Sequence, residues 1–286
     1  MLRIRLLGAL VVALMTAAAG QAAQINVNEG PGNFGTLKQT DTQACEGIDG
    51  TQACGPTAAV NSFVFLENRY QNIYGGKLLQ HVTNDAHANQ VITANELGAA
   101  DFMDCTCNGG TNIDRFITGK RDYIDLTMGP GITVFMHQDV FNLGDLGASK
   151  SKGQPSLAFL LQELQHGEDV EILVSYHDAQ GYKDAQGNFF GGHYLTMTGL
   201  MWTDADDSGG LNAGDALKLN FIDPLTGAPG SANAFANGFG FDTDYGGGAS
   251  ISAIVSESPV PEPETLALLL VGLLGLAGLK ARRAQA

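Results

Sequence analysis

Apolar positions change their spacing along this chain, and the changes mark its elements. From Cys54 onward Ala59, Phe63, Leu66 and Tyr70 recur at the spacing of one helix face, so a helix is predicted to open at Cys54. Pro56 suits its first turn, where a missing N–H would have no partner anyway. A second helix is predicted from Leu157 to Gln165 and stops at His166-Gly167, where a cation favours the C-terminus. A strand follows it towards Tyr176. Beyond a polar hairpin tip, Asp178 to Asn188, Gly191-Gly192-His193 opens the strand-like run Tyr194 to Gly199. Leu217 to Asp223 alternates as a strand and meets Pro224, which cannot continue a central ladder. Residues 82–125 read as short helices around Cys105-Thr106-Cys107, residues 225–250 as a Gly, Ala and Asn-rich loop stretch, and Ile251 to Val255 as a final strand.

Two apolar blocks fit none of these patterns. Arg3 and Arg5 precede the run Leu6 to Met15 and the small residues Ala17 to Ala23, the order of an export signal cleaved near residues 20 to 23. At the other end Val260-Pro261-Glu262-Pro263-Glu264 leads into the apolar run Leu266 to Leu279 and then Lys280, Arg282 and Arg283. A run of this length is short for a stable span but long enough for transient membrane contact with its basic end in the cytoplasm. This ending resembles the PEP-CTERM signal of Gram-negative bacteria. The resemblance implies sorting by an exosortase and the secretion machinery, to the periplasm, outer surface or extracellular matrix.

The expected organisation is a signal peptide at 1–23, a polar lead-in at 24–44, a domain at 45–255, a linker at 256–260 and the sorting tail at 261–286. Residues 1–23 carry two basic groups and no acidic ones, and 261–286 carry three basic and two acidic. Of 15 basic and 30 acidic residues, 10 and 28 therefore remain in the mature part, near −18. So negative a surface repels phosphate backbones, which excludes nucleic acid as a partner and leaves cations attractive.

Export makes disulfides permissible for Cys45, Cys54, Cys105 and Cys107. Two bridges are one arrangement. One bridge between Cys45 and either Cys105 or Cys107, with Cys54 kept for chemistry, is the other. The position of Cys54 favours the second, because unpaired amides and the helix dipole at a helix N-terminus stabilise a thiolate, the form that attacks carbonyl carbon. A thiolate of this kind needs a base, and the base needs an orienter. Of the six histidines, His81, His87 and His166 sit in structural contexts, and nothing around His137 and His177 marks them out. His193 lies where glycines let a substrate come close to a strand. If its strand pairs antiparallel with Leu217 to Asp223, Asp223 becomes its neighbour; alone, Asp223-Pro224 is an ordinary turn starter.

Cys-Gly-Pro-Thr-Ala opening a helix, the helix and strand around Gly167, Gly-His-Tyr-Leu-Thr-Met-Thr-Gly and Ile-Asp-Pro-Leu-Thr-Gly, in that order over residues 45 to 228, resemble the papain-like cysteine peptidases related to bacteriocin leader peptidases. The resemblance implies an α+β papain-like fold, with the nucleophile helix packed on an antiparallel sheet. It implies Cys54 as nucleophile, His193 as base and then acid, and Asp223 as orienter, acting on a peptide or protein. Such enzymes place a Gln several residues before the cysteine. Here Gln52 is two before and Gln43 eleven before, and Gln52 is taken as the oxyanion donor with the Cys54 amide. The same triad also serves acyl transfer, and a non-catalytic surface or biofilm-matrix protein on the same fold is the remaining alternative.

Asp204 to Asp215 follows a calcium-loop register: Asp204, Asp206, Ser208 and Asn212 at positions one, three, five and nine, Gly209 at six, Leu211 at eight and Asp215 at twelve. Structural calcium is expected there, fixing the connection between the strands of His193 and Asp223. The other reading is a solvated acidic hairpin tip. No organic cofactor is expected.

Overall fold

The computed structural model describes residues 22–45, 50–107, 109–176, 191–237 and 240–260. The elements run β1 (Ala23–Asn28), α1 (Cys54–Arg69), α2 (Gln71–Tyr74), α3 (Ala86–Leu97), α4 (Ile113–Met128), β2 (Thr133–Asp139), β3 (Ser149–Ser151), α5 (Leu157–His166), β4 (Asp169–Tyr176), β5 (Gly192–Asp204), β6 (Ala216–Asp223), β7 (Ala228–Ala236), β8 (Phe241–Thr243) and β9 (Ala249–Pro259). Among the described residues no helix is long and apolar enough to cross a membrane.

Strands β4 to β9 pair antiparallel, each with the next in sequence, and β4 also pairs with β9, from Asp169 opposite Glu257 to Tyr176 opposite Ala249. The sheet therefore closes into a six-stranded antiparallel barrel. β1 extends it along β5, and β2 with the parallel β3 extends it along the later part of β9. This corrects the expected papain-like α+β fold. Its cause is the stretch 225–250, expected as loop, which forms β7 and β8 and completes the circuit. Their inward residues include Ala232 and Ala234, small side chains that fit a narrow barrel interior and carry little local hydrophobic signal.

Alternation sorts each strand into two cores. Val170, Ile172 and Val174 of β4, Leu195 and Met197 of β5, and Leu217, Leu219 and Phe221 of β6 fill the barrel, with Leu157, Leu160 and Leu164 of α5 packed among them. The second core lies outside, where Phe63 and Leu66 of α1 and Phe116 and Ile124 of α4 meet Tyr194, Ile222 and Val255 on the outer face. Gly199, at φ +151°, allows β1 to lie close: a Cβ there would stand 2.2 Å from the Val27 carbonyl oxygen. Gly167 closes α5 in the left-handed conformation.

Two boundaries move. Residues 23–28, expected mostly as lead-in, are β1. Residues 256–259, expected as linker, complete β9, and the Val260 amide donates to the Ile132 carbonyl at 2.8 Å. The signal-peptide residues 1–21, the hairpin tip at 178–188, His177 and the tail 261–286 lie outside the described residues.

Candidate functional site

The inward series of two neighbouring strands ends in the candidate catalytic pair. His193 continues Leu195 and Met197 at the start of β5, and Asp223 continues Leu219 and Phe221 at the end of β6. With Thr196 opposite Ile222, the two side chains share a face one diagonal step apart. His193 Nε2 lies 2.9 Å from Asp223 Oδ1. That leaves Nδ1 free of Asp223, and Cys54, the first residue of α1, lies close enough for its thiol and the imidazole to perturb each other. The three residues meet at one mouth of the barrel, where α1 crosses β5.

Electrostatics favour the ion pair. Burial pushes the Cys54 thiol up, but the hydrogen bond and charge of His193, with the Tyr194 and Gly55 amides, hold it below its ordinary value. Burial also works against the imidazolium, yet hydrogen bonds to Asp223 and Cys54 and their charges raise His193 to about 9. Asp223, pushed up by burial, is held low chiefly by His193. All three shifts favour a thiolate, an imidazolium and a carboxylate side by side.

Other predicted site residues are placed differently. Gln52 is exposed on the rim before α1, and its carbonyl oxygen lies 3.5 Å from Cys105 Sγ. Cys45 pairs with Cys105, which leaves Cys54 and Cys107 as free thiols. His137 is buried between Ser149 Oγ (2.8 Å) and the Gly144 carbonyl (3.0 Å), a packing role on β2. His81 and His87 face Glu67 and Asp41 at the surface.

The acidic loop joins β5 to β6 at the end opposite the triad. Carboxylate oxygens of Asp204, Asp206 and Asp215 lie within 4.8 Å of one another. Asn212 Nδ2 donates to Asp206 (2.9 Å) and to Ser208 Oγ (3.1 Å), and Asp215 accepts from the Ala205 and Asn212 amides. These three carboxylates could hold a metal ion, and the same oxygens accept hydrogen bonds from within the loop. The loop is a full strand length from His193, so an ion there does not set the spacing of His193 and Asp223.

Residues 259–284 match the PEP-CTERM protein-sorting motif. This motif implies recognition by an exosortase and marks an exported protein of the Gram-negative cell surface. It begins directly where β9 ends. No curated protein is significantly similar to the chain. The papain-like relationship gains no support from the comparisons, so it no longer bears on the roles of Cys54, His193 and Asp223.

Sequence reasoning missed two sets of residues. Tyr245, inside the expected loop stretch, donates to Asp223 Oδ2 at 2.9 Å. Beneath α1 lies a fully buried charge cluster. Lys120 of α4 donates to Ser62 Oγ (2.8 Å), Asp169 Oδ2 (3.0 Å) and Glu171 Oε1, and its ammonium lies 2.8 Å from Glu257 Oε1. The alternation Asp169-Val170-Glu171-Ile172 was the available signal, but it suits a solvated face equally well.

Proposed function

We propose that the mature chain is an exported cysteine hydrolase acting on peptides or proteins at the cell surface. The observation that supports this reading best is the hydrogen-bonded pair His193–Asp223 with Cys54 beside it at the barrel mouth, an arrangement that favours a thiolate–imidazolium pair. In the proposed reaction the Cys54 thiolate adds to the scissile carbonyl carbon, and the Cys54 amide donates to the oxyanion. His193 then gives its proton to the leaving amine as the C–N bond breaks, forming a thioester. Water, deprotonated by His193, adds to the thioester, and the thiolate leaves with the acid product. If an amine takes the place of water, the same steps give acyl transfer.

Cys54 is tested by alkylation with iodoacetamide from pH 5 to 9, with modification mapped by mass spectrometry. Cys54 is expected to react at pH 6 at least about tenfold faster than Cys107, and His193→Ala should remove that advantage. Equal rates at both thiols would overturn the hydrolase reading and leave an exosortase-sorted surface protein.

The acidic loop is proposed to take calcium. A ligand bound only to the native state stabilises it by about 2.7 kcal/mol at one hundred times Kd, roughly 5 to 10 °C in Tm for a domain of this size. Calcium is expected to raise Tm, magnesium to do so poorly because it demands tighter octahedral geometry, and Asp204→Ala with Asp206→Ala to abolish the rise. Since the loop is remote from His193, chelation should leave Cys54 alkylation unchanged. Identical melting curves with chelator and with millimolar calcium would reduce the loop to a solvated turn.

A further inference from the structure

We propose that Tyr245 is a positioning residue of the hydrolytic site, locking the Asp223 carboxylate and covering the His193 ring. The inference rests on the triad reading above. A carboxylate has two oxygens and rotates freely unless both are held. Asp223 Oδ1 accepts from His193 Nε2 at 2.9 Å and from the Leu225 amide at 2.8 Å. Oδ2 accepts from the Tyr245 hydroxyl at 2.9 Å, so the carboxylate is clamped with Oδ1 facing the imidazole.

The ring of Tyr245 has a second task. It lies parallel to the His193 imidazole, with centroids 5.8 Å apart and planes within 1°. In that offset stack it occupies space from which water would compete for the His193–Asp223 hydrogen bond. The ring is itself fixed. Phe221 meets it edge-on at 5.5 Å, and Tyr176 stacks on it at 6.4 Å. The turn carrying Tyr245 sits tightly on Tyr176, because a Cβ at Gly246 would stand 2.6 Å from that ring. Burial and the Asp223 charge raise the Tyr245 hydroxyl well above its ordinary value, so it remains a donor wherever the site works. The titratable groups around His193 are then Cys54 from α1, Asp223 from β6, Tyr176 from β4, Tyr194 beside it on β5, and Tyr245.

The test is the titration of His193 followed by NMR in protein with labelled histidine, beside Cys54 alkylation by iodoacetamide at pH 6. Tyr245→Phe keeps the ring and loses only the clamp, and Tyr245→Ala loses both. In Tyr245→Phe the His193 midpoint is expected to fall by about one pH unit, tenfold in proton affinity, and alkylation to slow about 3- to 10-fold with Tm little changed. Tyr245→Ala should show larger losses of both. An unchanged His193 midpoint in Tyr245→Phe, while Asp223→Asn lowers it, would overturn the role of Tyr245 and leave the triad standing. A midpoint near the ordinary histidine value in the unmodified protein would overturn the triad and this inference together.

Discussion

Cys54→Ala is expected to abolish hydrolysis, by at least about 10⁴-fold on any peptide the protein cleaves, with a melting temperature close to that of the unmodified protein. The change removes one sulfur from a site at the head of α1. Cys54 touches the same core, but most of the packing of the helix comes from Phe63, Leu66 and their neighbours further along. His193→Ala should cost nearly as much, since both proton transfers pass through its ring. Asp223→Ala should cost less, because His193 then loses an orienter but keeps its place on β5. The pH profile follows from the two shifted groups. Activity should rise at a pH below the ordinary thiol range, as the Cys54 thiolate forms, and fall near pH 9, as His193 loses the proton it must give to the leaving group. Full cleavage by the Cys54→Ala protein would overturn the assignment of the nucleophile. The surface address would be untouched, because it rests on the tail.

How far the sequence reached depended on how local each feature is. α1 could be read from its spacing and Pro56, and α5 from its ending at Gly167, because period, cap and turn chemistry lie within a few residues. The β5–β6 pairing was readable for the same reason, as Asp223-Pro224 stops one alternating strand and glycines open the other. Closure of the barrel was not readable. It depends on β4 meeting β9, whose paired residues Asp169 and Glu257 are far apart in the chain, and no local pattern records such a pairing. β7 was hidden by small inward residues, and β2 by a polar end, His137-Gln138-Asp139, that is buried under other elements. Tyr245 shared the fate of its segment: a tyrosine among glycines offers no periodic signal, and its value comes from Asp223 lying 22 positions earlier in the chain. Alternation in β4 is visible but does not tell a solvated face from a covered one, and here α1 and α4 cover the face on which Asp169 and Glu171 lie.

That covered face carries the largest expected effect on stability. Lys120→Met should destabilise the fold by about 3 to 5 kcal/mol, because it leaves three buried carboxyl groups without their cation. For a domain of this size the loss is on the order of 10 °C in Tm. Three carboxylates and one ammonium, all removed from water, cannot all be ionised together without a large cost. Burial, with the Glu171 charge beside it, holds the Glu257 carboxyl well above the ordinary range, and neither of its oxygens has a hydrogen-bond partner. Burial and the Asp169 charge push Glu171 up to about 7 against the partial compensation of Lys120. In the unfolded chain Glu171 would lose its proton near the ordinary glutamate value, while the folded protein keeps it until about pH 7. The folded state therefore binds more protons in that interval, so stability should fall as pH rises from about 4.5 to 7, and Glu257, also held well above its ordinary value, adds to the fall. Glu171→Gln keeps an acceptor for Lys120 and removes the Glu171 titration, so it should reduce this slope and stabilise the protein at pH 8. Lys120→Met should cost more at pH 8 than at pH 5, where protons can stand in for the missing ammonium. Denaturant melts of the three proteins at the two pH values check the scheme. Equal stability of Lys120→Met and the unmodified protein at pH 8 would mean that the carboxyl groups are already neutral and the ammonium holds nothing together.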